Sequence, residues 1–317
     1  MPDKVRFILK LFLIALLFLL LDRAVNLVLR TGLDRYYGLD RGAEVLCIGH
    51  SHTMLGIDRA KLEQSLGVPV AKYAVNGANV FDRLAMIRHY FSLHPHSVKI
   101  VVYDVDDHLL NYDGLSANSY KLFYPYLDIP AIAEYIQSNA GSRKEVMARR
   151  LITTLRYNSL IINLAIRGLF GRDDNLKGGV VDPVALSKEI QSGGRPSVQI
   201  EQEAVRCLEE TIRVVCSHGA RLVLCYIPTV DLINNMDPFK HQQVLNLFEK
   251  YSRQTEGVEF IDYNPRYSQR HELFADPVHL NGAGRKLVTA DLAHDLAKFV
   301  TGGKHLANKS MRVQSGN

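Results

Sequence analysis

Short apolar runs alternate with amphipathic segments over two parts of the chain. The apolar runs are rich in β-branched residues and have the length of strands, whereas the amphipathic segments repeat their apolar positions at helical spacing. The predicted strands cover residues 44–48, 70–75, 98–104, 221–227 and 258–262. The predicted helices cover residues 57–66, 80–93, 201–218, 238–255 and 282–300. This alternation predicts an α/β fold with a parallel sheet flanked by helices.

The alternation is interrupted between residues 106 and 200. This part contains Tyr-rich loops, helical stretches at 129–139 and 144–170, and a segment at 171–196 that is rich in Gly, Pro and Asp. We interpret it as a largely helical insertion that borders the site, with an independent subdomain as the alternative. The predicted organisation is an anchor (1–30), a juxtamembrane linker (31–43), an α/β domain that includes the insertion (44–300) and a disordered tail (301–317).

The N-terminus carries the longest apolar run of the chain. Residues 11–21 contain no polar residue, basic residues precede them, and Asp22 and Arg23 separate them from a weaker apolar stretch. Residues 7–29 are long enough to span a bilayer. No small-x-small cleavage site follows them, and a buried amphipathic helix would need a polar face. We therefore predict a retained transmembrane helix that acts as a signal anchor, with the basic end inside and the remaining chain exported.

Composition and charge change this picture little. Hydrophobic residues make up 47% and charged residues 22% of the chain, as in ordinary globular proteins. The formal charge of +5 is spread along the sequence, without the aromatic-basic repeats that stack nucleic-acid bases, so no nucleic acid is expected as a partner. The four cysteines form no metal-binding spacing, and neither a metal, a cofactor nor a disulfide framework is predicted.

The first candidate for chemistry is Ser51, in the segment Gly-His-Ser-His-Thr directly after the first predicted strand. Ligands of open parallel sheets bind outside the carboxyl ends of the strands. Backbone N–H groups around Ser51 would be placed to stabilise an oxyanion if a helix starts there. The alternative is that Ser51 only caps this helix. On an alternating backbone, His50 and His52 would point away from Ser51, and a structural role is favoured for both.

The second candidate is the segment Asp-Pro-Val-His-Leu-Asn-Gly-Ala-Gly at residues 276–284. An aspartate three residues before a histidine can turn its carboxylate back to the imidazole Nδ1. Asp276 would then fix the tautomer of His279 and leave Nε2 free to act as a general base. Asn281 is placed to cap the last helix. The alternative is a hydrogen-bonded pair without catalytic function.

Together the two segments resemble sequence blocks of the SGNH (GDSL-like) hydrolase superfamily. The resemblance covers most of residues 44–104 and 201–300 and leaves the insertion outside. It implies a flavodoxin-like α/β fold with a Ser-His-Asp triad. By this resemblance Ser51 is the nucleophile, His279 is the base and Asp276 orients the base.

The chain departs from the family pattern in two other blocks. In the second block, Gly77 and Asn79 are both candidates for binding the oxyanion or substrate. The third block of the family supplies an oxyanion-binding Asn, whereas this chain has Asp104, Asp106 and Asp107, and an ionised carboxylate donates no hydrogen bond. A metal at these aspartates is less expected than water, a basic side chain or a helix N-terminus.

The predicted anchor and the family resemblance together suggest a function. Such a chain resembles bacterial proteins that add or remove acyl groups, often acetyl, on surface polysaccharides, and also D-alanyl-lipoteichoic-acid transfer proteins. The resemblance implies a single-pass protein of the bacterial cytoplasmic membrane with an extracytoplasmic serine esterase or O-acyltransferase domain. Its substrates would be a cell-envelope glycan and an acyl donor, and a multi-spanning membrane O-acyltransferase would be a partner. The alternatives are a non-catalytic glycan-binding or scaffolding subunit and, less favoured, a lipase or thioesterase.

Overall fold

The computed structural model describes residues 3–111, 119–193 and 197–314, and the chain divides into two compact units. Unit 1 consists of Met1–Asp40 and Asn118–Asp173. Unit 2 consists of Arg41–Ala117 and Asp174–Asn317. The strands are β1 (Val45–Gly49), β2 (Val70–Ala74), β3 (Ile100–Val105), β4 (Arg221–Tyr226), β5 (Val258–Asp262), β6 (Phe274–Asp276) and β7 (His279–Leu280).

The helices of the described residues carry labels in chain order. They are α1 (Asp3–Tyr37), α2 (Ser51–Gly56), α3 (Arg59–Leu66), α4 (Val80–Leu93), α5 (Pro130–Asn139), α6 (Arg143–Leu151), α7 (Ser159–Leu169), α8 (Pro183–Gln191), α9 (Gln202–Ser217), α10 (Asp231–Asn234), α11 (Pro238–Gln254), α12 (Asn264–Tyr267) and α13 (Gly282–Gln314). Short 3-10 helices are found at Ser119–Tyr126, Thr153–Arg156 and His271–Leu273. Helices α1, α5, α6 and α7 lie in unit 1, and the other helices lie in unit 2.

Unit 2 contains a five-stranded parallel sheet with the order β2-β1-β3-β4-β5. This is the strand order of flavodoxin-like folds. The five predicted strands are all present, with ends displaced by only a few residues, so the predicted α/β fold with helices flanking a parallel sheet is confirmed. A short antiparallel hairpin of β6 and β7 follows the sheet.

The sheet is buried because helices cover it on both faces. Every residue of β1, β2 and β3 is buried, which explains why these strands appear in the sequence as nearly continuous apolar runs. Val45 and Cys47 of β1 pack in one core cluster with residues of α3 and α13 such as Leu62 and Leu292. Helix α4 packs against α9. The sheet therefore forms a rigid base for the loops at its carboxyl ends.

Unit 1 is built on the contact between α1 and α7. A Cβ atom on Gly32 would lie 2.1 Å from the carbonyl oxygen of Ala165, and one on Gly168 would lie 1.9 Å from that of Gly32. Glycine at both positions lets the two backbones approach closely. Helix α1 ends where Gly38 adopts a left-handed conformation with φ of 68°. The segment predicted as a linker, residues 31–43, is thus helical as far as Tyr37.

Asp22 interrupts the apolar run of α1 because it binds the 3-10 turn at Thr153–Arg156. Its carboxylate accepts hydrogen bonds from the backbone N–H of Thr153 and of Thr154, each at 2.8 Å, and from both threonine hydroxyls at 2.7 and 2.8 Å. The four donors satisfy the carboxylate, which is 3% exposed. These contacts also break the predicted helix at 144–170 into α6, the turn and α7.

The structure shows the following at the ends of the chain and in the insertion. The Gly, Pro and Asp-rich segment at 171–196 contains α8, whose start is capped by Asp182 with Pro183 in the first turn; residues 194–196 lie outside the described residues. The predicted disordered tail, 301–317, falls in α13 as far as Gln314, and residues 315–317 are not described. Among the helices of the described ranges, none combines the length and the apolar character needed to cross a membrane. The predicted transmembrane helix is therefore not supported.

Candidate active site

Ser51, His279 and Asp276 lie within hydrogen-bond distance of one another in unit 2. The Nε2 atom of His279 is 2.8 Å from Ser51 Oγ. Its Nδ1 atom is 2.8 Å from Oδ2 and 3.0 Å from Oδ1 of Asp276. A hydroxyl, an imidazole and a carboxylate in this order provide a path for the serine proton during nucleophilic attack. The structure thus brings the three predicted residues together, and their catalytic roles remain our proposal.

The turn between β6 and β7 holds the carboxylate of Asp276 against His279. Oδ1 of Asp276 accepts hydrogen bonds from the backbone N–H of Val278 and of His279, both at 3.0 Å. Lys177 forms an ion pair with Oδ2. Burial alone would raise the pKa of Asp276, but the hydrogen bond from His279 and the ion pair with Lys177 hold it below its ordinary value. The carboxylate is therefore ionised at neutral pH and able to stabilise an imidazolium.

Asn281 fixes the chain directly after the β6–β7 hairpin. Its Oδ1 accepts hydrogen bonds from Ala283 N at 3.0 Å and Gly284 N at 3.1 Å, so it caps α13 as the sequence predicted. Its Nδ2 donates to the carbonyl oxygen of Glu272 at 2.8 Å. These bonds connect the loop that carries His279 to a long helix and limit its movement.

Ser51 stands where β1 ends and α2 begins. A Cβ on Gly49 would lie 2.0 Å from Thr53 Oγ1 and 2.5 Å from Asp104 Cβ, so this turn requires glycine. The cap residue of α2 is His50, and Ser51 is the first helical residue. Because its hydroxyl is directed to His279, the interpretation of Ser51 as a helix cap does not apply.

A cleft of about 390 Å³ opens beside Ser51 and His279. It lies at the carboxyl ends of β1 and β3, where the strand order reverses and where ligands of such sheets bind. One part of its wall is apolar, formed by Val198, Ile233, Met236 and Val278. The site can therefore receive a small group with an apolar part next to the serine.

Gly77 and Asn79, the predicted oxyanion or substrate-binding residues, belong to the loop between β2 and α4. Gly77 has a φ of 73°, a left-handed conformation that favours glycine. Asn79 caps α4, with its Oδ1 accepting hydrogen bonds from Phe81 N at 3.0 Å and Asp82 N at 2.9 Å. Neither Gly77 nor Asn79 is among the described residues that line the cleft. The oxygen of Asn79 thus has a structural function, and oxyanion binding by either residue stays a prediction.

His50 lies between two buried carboxylates. Its Nδ1 is 3.0 Å from Asp104 Oδ2 and its Nε2 is 2.8 Å from Asp106 Oδ2. Although burial lowers the pKa of His50, the negative charge of Asp104 raises it above the ordinary value. The two carboxylates thus favour the protonated form of His50, in which the imidazolium would neutralise part of their charge. His50 also lines the cleft beside Ser51, and its structural role stays a prediction.

Arg83 completes this charged cluster. It is 1% exposed, its Nη2 lies 4.0 Å from Asp106 Oδ2, and it donates hydrogen bonds to the carbonyl oxygens of Asp104 and Ala78. Its guanidinium also stands 5.5 Å from the ring centroid of Tyr103. When His50 is protonated, two carboxylates, one guanidinium and one imidazolium give a cluster without net charge, which lowers the cost of burying them.

His52 connects the charged cluster to the triad. Its ring lies between the rings of His50 and His279, at centroid distances of 4.3 and 5.6 Å. Burial, and after it the charge of His50, lowers the pKa of His52 to about 3. His52 is therefore neutral at the surface of the cleft, and it separates the protonated His50 from His279.

The buried His52 predicts a pH-dependent stability. In the unfolded chain its pKa is about 6.5, so between that value and about 3 only the unfolded chain binds this proton, and stability falls as pH decreases. His52→Gln is expected to remove about 2 kcal/mol of the decrease in unfolding free energy between about pH 7 and about pH 5. Urea unfolding at both pH values measures this difference.

The exposed His96 provides the control for this measurement, because His96→Gln also removes one histidine but no buried group. His50, whose pKa Asp104 raises against the effect of burial, contributes with the opposite sign in wild type and variant alike. An equal pH dependence in wild type and His52→Gln would show that His52 is not buried in the neutral form.

His50, His52 and Asp104 could also hold a divalent cation. One ligand atom from each lies within 4.8 Å of the others, and all three residues are buried. Two imidazoles and a carboxylate suit zinc or a related metal. In the structure, however, His50 lies between both carboxylates and Arg83 lies beside Asp106, so basic side chains already occupy the positions next to these carboxylates.

Sequence reasoning missed three basic residues that the structure places around the site, namely Arg83, Lys177 and His241. Arg83 and Lys177 bind the aspartates described above. Asp107, at the cleft, pairs with His241 of α11, whose Nδ1 lies 2.8 Å from Oδ1. Isolated Arg, Lys and His residues on helices and loops give no signal in a single sequence. The aspartates at the end of β3 did indicate that basic side chains lie near them, because buried carboxylates need basic partners.

Comparisons with known proteins add no family assignment. No protein-family model matches the chain, and no curated protein matches it. Among solved structures, one similar chain is described as a "putative acylhydrolase" from Bacteroides fragilis, with 12% sequence identity and a TM-score of 0.40. That alignment covers 81% of this chain and 87% of the other. A likeness of this size assigns no activity, and the similarity to SGNH hydrolases rests on the sequence motifs.

Proposed function

We propose that the chain is an SGNH-type serine esterase or O-acyltransferase that works through an acyl-enzyme on Ser51. The observation that carries this proposal is the continuous path from Ser51 Oγ through His279 to Asp276 at the edge of a cleft. Three side chains from two distant parts of the sequence meet in the order that nucleophilic catalysis requires.

In the first half-reaction, Ser51 Oγ attacks the carbonyl carbon of an acyl ester. As the C–O bond forms, the serine proton passes to His279 Nε2, and the ionised Asp276 stabilises the resulting imidazolium. The tetrahedral intermediate then expels the alcohol, which takes the proton from Nε2. The product is an ester of Ser51 and a released alcohol.

In the second half-reaction, an acceptor hydroxyl attacks the acyl-enzyme. His279 takes the acceptor proton and returns it to Ser51 Oγ as the serine leaves. A sugar hydroxyl as acceptor gives transfer, whereas water gives hydrolysis. The same residues serve both outcomes, so access of acceptor and water to the cleft decides between them.

We propose an O-acyl group, in particular acetyl, on a cell-envelope glycan as the substrate. The cleft of about 390 Å³ has room for an acyl group, and its apolar wall can contact that group. The motif resemblance favours the glycan and, as a partner, a multi-spanning membrane O-acyltransferase. The proposed location is the outer face of a bacterial cytoplasmic membrane. The exposed apolar side chains of α1, which include Leu13, Leu17 and Leu20, would attach the protein to this membrane.

A second function is supported by one observation. In place of the family's oxyanion-binding Asn the chain has aspartates, and Asp104 and Asp106 are paired with His50. Carboxylates held in this way donate no hydrogen bond to an oxyanion. This arrangement would suit a non-catalytic glycan-binding or scaffolding subunit that keeps the fold.

An active-site-directed fluorophosphonate probe distinguishes the two functions. The catalytic proposal expects covalent labelling of the wild type and none of Ser51→Ala. Ser197→Ala is the matched control, because Ser197 lines the same cleft and, in the part of the chain that the structure describes, forms no hydrogen bond with a histidine. Labelling of this variant should persist. Failure of the folded wild type to react would favour the non-catalytic function.

In cells, the acetyl content of the surface glycan should change in Ser51→Ala and stay at the wild-type level in Ser197→Ala.

A further inference from the structure

Basic residues occur along the whole chain, but they outnumber the acidic residues only in unit 1. Its residues include 14 Lys and Arg but only eight Asp and Glu, so unit 1 has a formal charge of +6, whereas the whole chain has +5. Unit 2 is therefore nearly neutral, with a formal charge of −1. An excess of this kind attracts anionic surfaces within about a Debye length.

Part of this charge lines a groove between α5 and α6. The groove has a volume of about 290 Å³ and is lined by Gln137, Ala140, Arg143, Val146, Met147 and Arg150. Arg143 and Arg150 are seven residues apart and Val146 and Met147 lie between them, so the four share one face of α6. The groove therefore has an apolar surface, formed by Val146 and Met147, between two guanidinium groups.

The two groove arginines differ from their neighbours on the same helix. Arg149 forms an ion pair with Glu145 at 3.0 Å and stands 4.3 Å from the ring centroid of Tyr124. Neither Arg143 nor Arg150 has a hydrogen bond or ion pair with another residue in the described part of the chain. Their donors are therefore available to a ligand, and the planar guanidinium is well suited to phosphate oxygens.

The groove lies beside the end of the apolar run of α1. Arg23 donates a hydrogen bond from Nη2 to the carbonyl oxygen of Leu151 at 3.1 Å, and Asp22 binds the turn that follows α6. Arg150 immediately precedes Leu151. The apolar run at 11–21 ends at the residue before Asp22, and Met147 and Leu151 add exposed apolar side chains at this position.

We propose that the groove of Arg143 and Arg150 binds the phosphate of an anionic phospholipid headgroup. This inference rests on the proposed attachment of α1 to a membrane. With the apolar part of α1 in contact with the acyl region, the basic groove would lie at the level of the headgroups, where basic side chains are attracted to anionic lipids. Val146 and Met147 would contact the glycerol and upper acyl region.

Partitioning of the full-length protein onto vesicles tests this site. Vesicles of phosphatidylcholine are compared with vesicles that also contain phosphatidylglycerol. Arg143→Gln and Arg150→Gln are each expected to lower the partition coefficient for the anionic vesicles about fivefold and to leave binding to neutral vesicles unchanged. Lys144→Gln is the matched control, because it removes one exposed charge from the same helix outside the groove. Its effect should be clearly smaller.

Three further outcomes decide the proposal. Equal losses in Lys144→Gln and Arg143→Gln would mean diffuse attraction and overturn a defined site. Saturable binding of inorganic phosphate that competes fully with the vesicles would assign the groove to a soluble anion instead. Leu13→Gln with Leu17→Gln should weaken binding to both vesicle types, and unchanged binding would overturn the attachment by α1. Labelling of Ser51 is measured in the same samples, so a failure of the proposed catalysis is separated from a failure of lipid binding.

Discussion

Ser51→Ala is expected to lower kcat/KM for a short activated acyl ester by about ten-thousandfold or more, with little change in stability. The alanine variant retains the cleft, His279 and Asp276, but it lacks the oxygen that forms the acyl-enzyme. In serine hydrolases, loss of the nucleophile leaves only the small rate enhancement due to binding and oxyanion stabilisation. Steady-state hydrolysis of acetyl and octanoyl esters measures the effect and the preference for short chains.

The double variant Ser51→Ala with His279→Ala gives the sharper result. If the two residues act in one proton-transfer path, the double variant should be no slower than Ser51→Ala alone. Multiplicative losses would show that they act in separate steps and would contradict the proposed mechanism. Ser197→Ala should keep wild-type kinetics, which excludes a general effect of altering the cleft wall.

The sheet could be predicted from the sequence because its strands are covered on both faces. Residues 100–105 are all buried, and a strand in such a position consists of almost only apolar residues. When helices alternate with such apolar runs, the strands are expected to form a parallel sheet. The observed sheet, with the order β2-β1-β3-β4-β5, agrees with this expectation. The local pattern of apolar and polar residues was therefore sufficient to predict the parallel sheet.

The insertion was harder to predict, because its helices depend on contacts between residues far apart in sequence. The apolar and basic pattern at 144–170 is typical of one helix. The chain instead turns at Thr153 and Thr154, since Asp22, 131 residues away from Thr153, offers a carboxylate to their N–H and hydroxyl groups. No local signal marks such a contact.

The positions of the candidate triad followed from topology rather than from local pattern. The loops that follow the strands of a parallel sheet all lie at the same end of the sheet, so a serine after β1 and a histidine before α13 can be expected to be close. Their separation of 2.8 Å between Ser51 Oγ and His279 Nε2 agrees with that expectation. The oxyanion donors could not be derived in the same way, because they depend on backbone orientation and not on residue type.

The burial of Arg83 could not be predicted from the sequence. Arg83 and Arg88 lie on the same helix, α4, and in sequence both appear to be ordinary exposed arginines. In the structure Arg88 is half exposed and pairs with Glu210 at 2.7 Å, whereas Arg83 is buried below Asp104 and Asp106. The difference arises from carboxylates that follow another strand, which only the tertiary fold brings into contact with α4.

Arg83→Met is therefore expected to lower the free energy of unfolding by about 3–5 kcal/mol, because it leaves buried carboxylates with one positive partner fewer. Arg88→Met makes the same substitution on the same helix but removes only a surface ion pair, so its expected loss is below about 1 kcal/mol. Urea unfolding at neutral pH measures both. A loss in Arg83→Met as small as that in Arg88→Met would show that the aspartates do not depend on Arg83.

A double variant separates loss of charge from loss of packing. Asp106→Asn removes the carboxylate closest to the Arg83 guanidinium, at 4.0 Å, while it keeps the size of the side chain. If the cost of Arg83→Met is electrostatic, Arg83→Met with Asp106→Asn should be destabilised by less than the sum of the single variants, with a coupling of about 1–3 kcal/mol. Additive losses would instead attribute the effect to packing against Tyr103. His50 pairs with the same Asp106. An electrostatic result would therefore also mean that Arg83, on α4, influences the charge of the groups next to Ser51.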